Sequence, residues 1–204
     1  MKKILCFGDS NVYGFNPNTM GRYDENSRWT SILAKNLGDN FEILEAGGNN
    51  RTGFVDNVDG NNNTGYKILP KLLEHDFDYV ILAIGINDTQ TQYDFSLEDI
   101  KNGLSTMISL VKNKLPNAKI IVISPSKIGE SILKHKFFST IFDITSIEKS
   151  NQIPKIYQEV AKEFEVNFVD LNQIVTPSII DGLHYEIKEH KKLAKCLQNL
   201  IFEI

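Results

Sequence analysis

No stretch of this sequence comes near the ~20 consecutive apolar residues that a membrane-spanning helix needs. The opening apolar run, Ile4-Leu5-Cys6-Phe7, is cut off at Gly8-Asp9. A secretory signal needs roughly 7–15 apolar residues, so this run is expected to be a buried first strand and the protein to work in the cytoplasm. Cysteine is scarce. Cys6 and Cys196 are the two present, one in the apolar run and one in an amphipathic segment, and both are expected as small buried side chains rather than a disulfide. An excess of one charge is also lacking: 22 Lys+Arg against 26 Asp+Glu give a net charge of -4, with no basic footprint for nucleic acid or an anionic membrane. His-Glu-x-x-His and Cys-x-x-Cys spacings are missing, so no metal site is expected. The Gly-x-Ser-x-Gly elbow of the α/β-hydrolases is missing too. The segment 60–65 looks like a phosphate loop, but Tyr66 stands where that loop requires lysine.

What is present alternates. A chain of 204 residues suits one domain spanning 1–204. Apolar runs at 3–7, 42–45, 78–84, 119–124 and 167–171 read as strands. Segments 27–37, 66–74, 148–164 and 187–201 read as helices, with Ser27 expected as the first cap and Pro70 and Pro154 as sites of kinks. Ser96-Leu97-Glu98-Asp99 resembles a capping box, and it opens a helix with Ile100, Leu104, Met107, Ile108 and Val111 on one face. Five strand-then-helix units predict a parallel five-stranded sheet in a three-layer α/β/α sandwich, with chemistry at the carboxyl ends of the strands. Residues 11–26 and 52–65 read as irregular, either mobile surface or the walls of a substrate cleft. The apolar stretch 127–145 is expected to be an acyl-binding lid or a subunit interface, the latter implying a homo-oligomer. An ordinary core helix is the alternative.

Three short segments carry chemistry. Gly8-Asp9-Ser10 puts a serine at the end of the first strand, where such sheets react. Alone it is also an ordinary turn. Asp181-Gly182-Leu183-His184 precedes the last helix. A serine hydroxyl needs a base, histidine is the usual one, and the histidine needs an acceptor on its other nitrogen. A carboxylate three residues earlier in a tight loop can be that acceptor, and of the four histidines His184 alone has one at this spacing in such a loop. Gly85-Ile86-Asn87-Asp88 follows the most buried strand and can aim an amide N–H at the same edge, where acyl transfer creates an oxyanion. Asp9, Asp88, Trp29 and His190 read better as turn, cap or core residues.

Taken together these blocks resemble the SGNH hydrolase superfamily, the GDSL-type esterases and lipases. Gly-Asp-Ser at 8–10, a Gly- and Asn-rich block at 46–53, Gly-x-Asn-Asp at 85–88 and Asp-x-x-His at 181–184 occur in the family's order. Gly14-Phe15-Asn16-Pro17, Gly21-Arg22-Tyr23 and Arg28-Trp29 are similar to a subgroup of small bacterial aryl esterases and acyltransferases. The resemblance implies flavodoxin-like strand order 2-1-3-4-5. It also implies Ser10 as nucleophile, His184 as base and Asp181 as its orienting carboxylate, with an oxyanion hole formed by the Ser10 and Asn50 backbone N–H groups and the Asn87 side chain. No cofactor would be needed, and the partner would be a small ester. Position 50 departs from the subgroup, whose second block reads Asn-Gly-Arg-Thr. Asn50 takes the glycine's place, and asparagine is among the residues that tolerate positive φ best. The implied activity is hydrolysis of short-chain acyl or aryl esters through an acyl-enzyme. A carbohydrate O-acetyl esterase with the same machinery and a non-catalytic flavodoxin-like binding module are the alternatives.

Overall fold

A computed structural model describes all residues, 1–204. The strand β1 (Lys2–Gly8) alternates strictly: Ile4 and Cys6 face one layer, Leu5 and Phe7 the other. Every residue from Ile4 onward is buried, as a central strand covered on both sides requires. β1 pairs in parallel with β4 (Phe41–Gly47) and β5 (Tyr79–Ala83), and β5 continues to β6 (Lys119–Ser124) and β7 (Asn167–Asp170). The sheet order β4-β1-β5-β6-β7 is 2-1-3-4-5 when its five strands are counted along the chain.

On the Ile4/Cys6 side lie α2 (Trp29–Leu37) and α6 (Ile187–Glu203), which contribute Trp29, Leu33, Leu37, Leu193, Leu197 and Ile201. On the Leu5/Phe7 side lie α3 (Gly65–Leu72), α4 (Leu97–Lys114) and α5 (Ile144–Glu163). The two cores have 18 buried residues each, so neither face of the sheet is left to solvent. The fold is a three-layer α/β/α sandwich with a parallel five-stranded sheet.

Several element ends differ from the sequence expectation, each for a local reason. α2 starts at Trp29 and its N-cap is Arg28, which makes no side-chain cap bond, so Ser27 is not the cap. β4 is longer than 42–45 because its half-buried edge position tolerates polar residues in the alternation. α5 begins at Ile144, four residues before the expected start. Asp143 caps it with a reciprocal box to Ser146, a polar signal that the apolar period hides. Both prolines sit inside continuous helices, α3 and α5. The capping box of α4 between Ser96 and Asp99 forms as read. Residues 11–26 are not irregular throughout: α1 (Ser10–Tyr13) is followed by a small ribbon of β2 (Phe15–Asn16) and β3 (Gly21–Arg22). Glu45 of β4 pins this segment by accepting from Arg22, Arg28, Thr30 and Ser31.

His190, in the first turn of α6, is fully buried, and its Nδ1 accepts the Trp29 backbone N–H at 3.3 Å. Burial, with the nearby His184 and Arg28 adding to it, lowers its pKa from 6.5 to about 4. A histidine depressed in the folded state is protonated first in the unfolded chain. Its contribution is therefore intact above pH 6.5 and is lost as pH falls toward 4. Across that window the loss amounts to roughly 3 kcal/mol. His190→Asn keeps an acceptor near the Nδ1 position and does not titrate. Urea unfolding at pH 7 and pH 4.5 is expected to show a smaller acid loss for the variant than for the wild type. Equal losses would exclude His190 as the titrating group. Asp9 and Asp88 titrate in both proteins and cancel in the comparison.

Candidate active site

Gly8 ends β1, and a Cβ there would lie 2.1 Å from the Ala83 carbonyl oxygen. Glycine thus lets the chain turn sharply against β5. Asp9 then caps α1, accepting the Asn11 N–H at 2.9 Å. Ser10 becomes the first residue of that short helix. Its backbone N–H, at the first helical position, therefore has no intrahelical partner.

The Ser10 Oγ lies 2.8 Å from His184 Nε2, across 174 residues of sequence. His184 Nδ1 lies 2.6 Å from Asp181 Oδ2. The other Asp181 oxygen accepts the backbone N–H groups of Leu183 and His184 at 2.9 and 3.0 Å. One carboxylate thus shapes its own loop and orients the imidazole. Gly182 makes the turn at φ 71°, and a Cβ there would lie 2.4 Å from the Gly129 carbonyl oxygen. Burial raises the Asp181 carboxyl, but the His184 side chain and the two backbone N–H groups outweigh burial and hold it below its ordinary value. The carboxylate therefore stays charged at neutral pH, fixing the tautomer with a proton on Nδ1 and a free lone pair on Nε2 facing the serine. The imidazole packs against Phe15, at a ring separation of 4.1 Å, and Phe138, at 5.3 Å, two rings that themselves meet edge to face at 6.2 Å.

Two further segments reach the same edge. Asn50 follows β4 with φ 56°, so it adopts the left-handed backbone its position demands. No hydrogen bond engages its backbone N–H. Asn87 stands in a short 3₁₀ turn after β5, and its Nδ2 donates to the Arg51 carbonyl at 2.9 Å, leaving one amide hydrogen over. Ser10, Asn50, Asn87 and His184 border one cavity of about 370 Å³, so four of the five expected site residues meet at a common space. Asp181 lies behind His184, fully buried. Such an arrangement can deprotonate a serine hydroxyl and surround a developing oxyanion with N–H donors.

The stretch 127–145 is neither a core helix nor a plain lid. It is a strap of two 3₁₀ turns, Glu130–Lys134 and Phe138–Thr140, with its own apolar cluster around Phe15, Ile132, Phe138 and Phe142. The strap forms the aromatic wall of the cavity through Phe137, Phe138, Ile141 and Phe142. The rest of the lining is mainly polar, with Asn49, Asn50 and Asp59 from the chain after β4 and Asn87, Gln90 and Gln92 from the chain after β5. The sequence reading missed Gln90, since an amide side chain without a motif gives no signal until the fold brings it to the cavity, and it named Phe15 and the stretch that holds Phe138 without placing either ring against His184.

Asp88 is a structural acid. It is fully buried, and its carboxylate accepts the N–H groups of Gly53, Phe54 and Val55 at 2.6, 2.7 and 3.0 Å. Burial pushes its pKa up to about 6, against the pull of those three bonds. Asp9 is likewise raised by burial, to about 7. Trp29 is core, as expected, with its indole N–H given to the Asn11 carbonyl.

The strand order 2-1-3-4-5, with a serine, an imidazole and two asparagines gathered at the carboxyl edge of the sheet, defines a flavodoxin-like α/β class. The sequence profile of the GDSL-like lipase/acylhydrolase family matches residues 4–197, and the chain belongs to that family, as a hydrolase acting on ester bonds. The aryl esterase of M. smegmatis is 29% identical, superposes with a TM-score of 0.92, and covers 100% of this chain and 99% of its own. A carbohydrate acetylesterase from Sinorhizobium meliloti is 26% identical with a TM-score of 0.92, again covering 100% and 99%. A lipase/acylhydrolase from Enterococcus faecalis, 20% identical with a TM-score of 0.73 over 98% and 95%, shares the fold. No curated protein sequence matches this one. Family membership sets aside the non-catalytic binding module. No helix is long and apolar enough to cross a membrane.

Asp88→Ala would leave three buried N–H groups without an acceptor, at about 1–3 kcal/mol each. The expected result is a loss of several kcal/mol in urea unfolding, with activity falling as the loop that carries Asn50 and Arg51 loosens. A variant within 0.5 kcal/mol of the wild type, roughly the scatter of a neutral surface change, would contradict the anchor role.

Proposed function

We propose that the protein hydrolyses short-chain acyl or aryl esters by two-step acyl transfer. The support is the continuous hydrogen-bonded path Ser10–His184–Asp181, with contacts of 2.8 and 2.6 Å, opening on a half-aromatic cavity. His184 takes the proton from Ser10 as the Oγ attacks the ester carbonyl. The Ser10 and Asn50 backbone N–H groups and the Asn87 amide receive the oxyanion. His184 then protonates the leaving alcohol, and a water activated by the same imidazole releases the acid. Asp181 keeps the imidazole in the working tautomer throughout. Residues 1–204 act as one domain in this reading, a cytoplasmic enzyme on a small substrate.

The aromatic strap favours an acyl or aryl group packed against Phe137 and Phe142. The polar wall, with Asn49, Asn50, Asp59 and Gln92 at the cavity, supports a second reading, an O-acetylated carbohydrate whose hydroxyls bond to amides. Activity on p-nitrophenyl acetate and longer homologues, set beside a panel of acetylated sugars, separates the two. The aryl reading expects the higher kcat/KM on aryl esters. A preference for the sugars by more than tenfold would replace it with the second.

Ser10→Ala should reduce turnover by several orders of magnitude. A fluorophosphonate probe should label one residue, Ser10, in the wild type and none in the variant. Labelling elsewhere, or full activity without Ser10, would overturn the mechanism.

A further inference from the structure

A line of side-chain amides runs from the Asn-rich loop to Asn87, and the chemistry above makes no use of it. Asn50 Nδ2 donates to Asp59 Oδ2 at 2.6 Å. Gln90 Nε2 donates to Asn50 Oδ1 at 2.8 Å and to Asn87 Oδ1 at 3.0 Å. Asn87 Nδ2 donates to the Arg51 carbonyl at 2.9 Å. Gln92 Nε2 donates to Gln90 Oε1 at 2.9 Å, the sense that the rest of the line requires.

An amide side chain can turn by 180° about its last bond and exchange donor for acceptor unless its partners are of one kind. Both ends of this line are of one kind, because a carboxylate and a peptide carbonyl only accept. Asp59 draws the Asn50 NH₂ toward itself and leaves the Asn50 oxygen facing Gln90. Gln90 must then present its NH₂ group. Asn87 must answer with its oxygen, which turns its own NH₂ away from Gln90. Gln90 is 1% exposed, so bulk water cannot take over its part. The opposite orientation of Asn87 would aim a carbonyl oxygen where negative charge develops.

We propose that Gln90 and Asp59 are positioning residues that fix the Asn87 amide with its NH₂ toward the oxyanion. Asn50 relays the constraint through its side chain while offering its backbone N–H. This rests on the reading of Asn87 as an oxyanion donor. It also gives a physical role to the asparagine at position 50, where the resembling subgroup has glycine: its side chain is the link between Asp59 and Gln90.

The test is steady-state kinetics of the full chain on p-nitrophenyl acetate. Asn87→Ala is expected to lower kcat by about 10²–10³, the usual loss for one oxyanion donor. Gln90→Leu should lower kcat by about ten- to a hundredfold with KM little changed, since it disorients that donor without removing it. Asp59→Asn, nearly isosteric, removes one of the two fixed ends while the Arg51 carbonyl still holds the other, and should cost at most a few-fold in kcat, less than Gln90→Leu. Because Gln90 acts through Asn87, Gln90→Leu should cost less than about twofold in the Asn87→Ala background. A merely structural role would give the same loss in both backgrounds, and that outcome overturns the proposal, as does wild-type kcat in Gln90→Leu. If Gln90→Leu fails to fold, Gln90→Glu replaces it, since a carboxylate cannot donate to Asn87, and the same pattern of losses is expected. If Asn87→Ala is itself fully active, the oxyanion reading has failed. If Asn87→Ala is impaired and the Gln90 variant is not, only this inference has.

Discussion

Gly8 of β1 lies opposite Gly47 of β4 on one side and Ala83 of β5 on the other. This parallel register makes three chain segments leave the sheet at one level and in one direction. The first carries Ser10, the second Asn50 and Arg51, the third Asn87, Asp88 and Gln90. A shift of one residue in either pairing would turn these side chains to the opposite face, since the side-chain period of a strand is two. The register is held by the cores above and below, where every side chain from Ile4 to Phe7 is buried. The hydrophobic layers that stabilise the sandwich are therefore the same constraint that assembles the site.

Three aspartates are buried at this edge, and their fates differ. Burial raises all three. Asp181 is brought back down by the imidazole and by two N–H groups, so it carries its charge beside His184. Asp9 and Asp88 stay high, at about 7 and about 6, both through burial, and at Asp9 the neighbouring Asp88 adds to it. Under the proposed mechanism, a carboxyl raised toward neutrality at Asp9 keeps negative charge low beside the oxyanion site, and Arg51 acts in the same direction. Its guanidinium donates to the Gly8 carbonyl and lies over the Phe7 ring, placing a fixed positive charge just under the site.

The cavity is built from two unlike surfaces because two unlike segments were available to cover the sheet edge. The strap after β6 has enough aromatic residues to form a small core of its own, and its surplus faces the cavity. The loop after β4 has almost none. It is stabilised instead by amide and carboxylate bonds among Asn50, Asn57, Asp59 and Thr64. An Asn-rich loop thus reads as disorder in composition but is tied down by side chains that bond to backbone, the property that makes asparagine a turn residue.

The sequence alone determined the layered fold, because it is written in local patterns, and it pointed to the candidate site through the order of its blocks and the family they resemble. Apolar runs and helical periods report the strands and helices directly. Gly8-Asp9-Ser10, Gly85-Ile86-Asn87-Asp88 and Asp181-Gly182-Leu183-His184 are each set by turn geometry within four residues. Helix starts such as Asp143 were less legible, since a polar cap leaves no mark on the apolar period. The rest had no local mark at all. Phe15 and Phe138 pack against His184, Asp88 holds residues 53–55, and Gln90 reaches Asn50 across 40 residues of chain to join it to Asn87. Such contacts depend on which loops the parallel register brings together. Only the tertiary structure decided them, because a hydrogen bond or a ring contact is satisfied by distance in space and leaves sequence separation free.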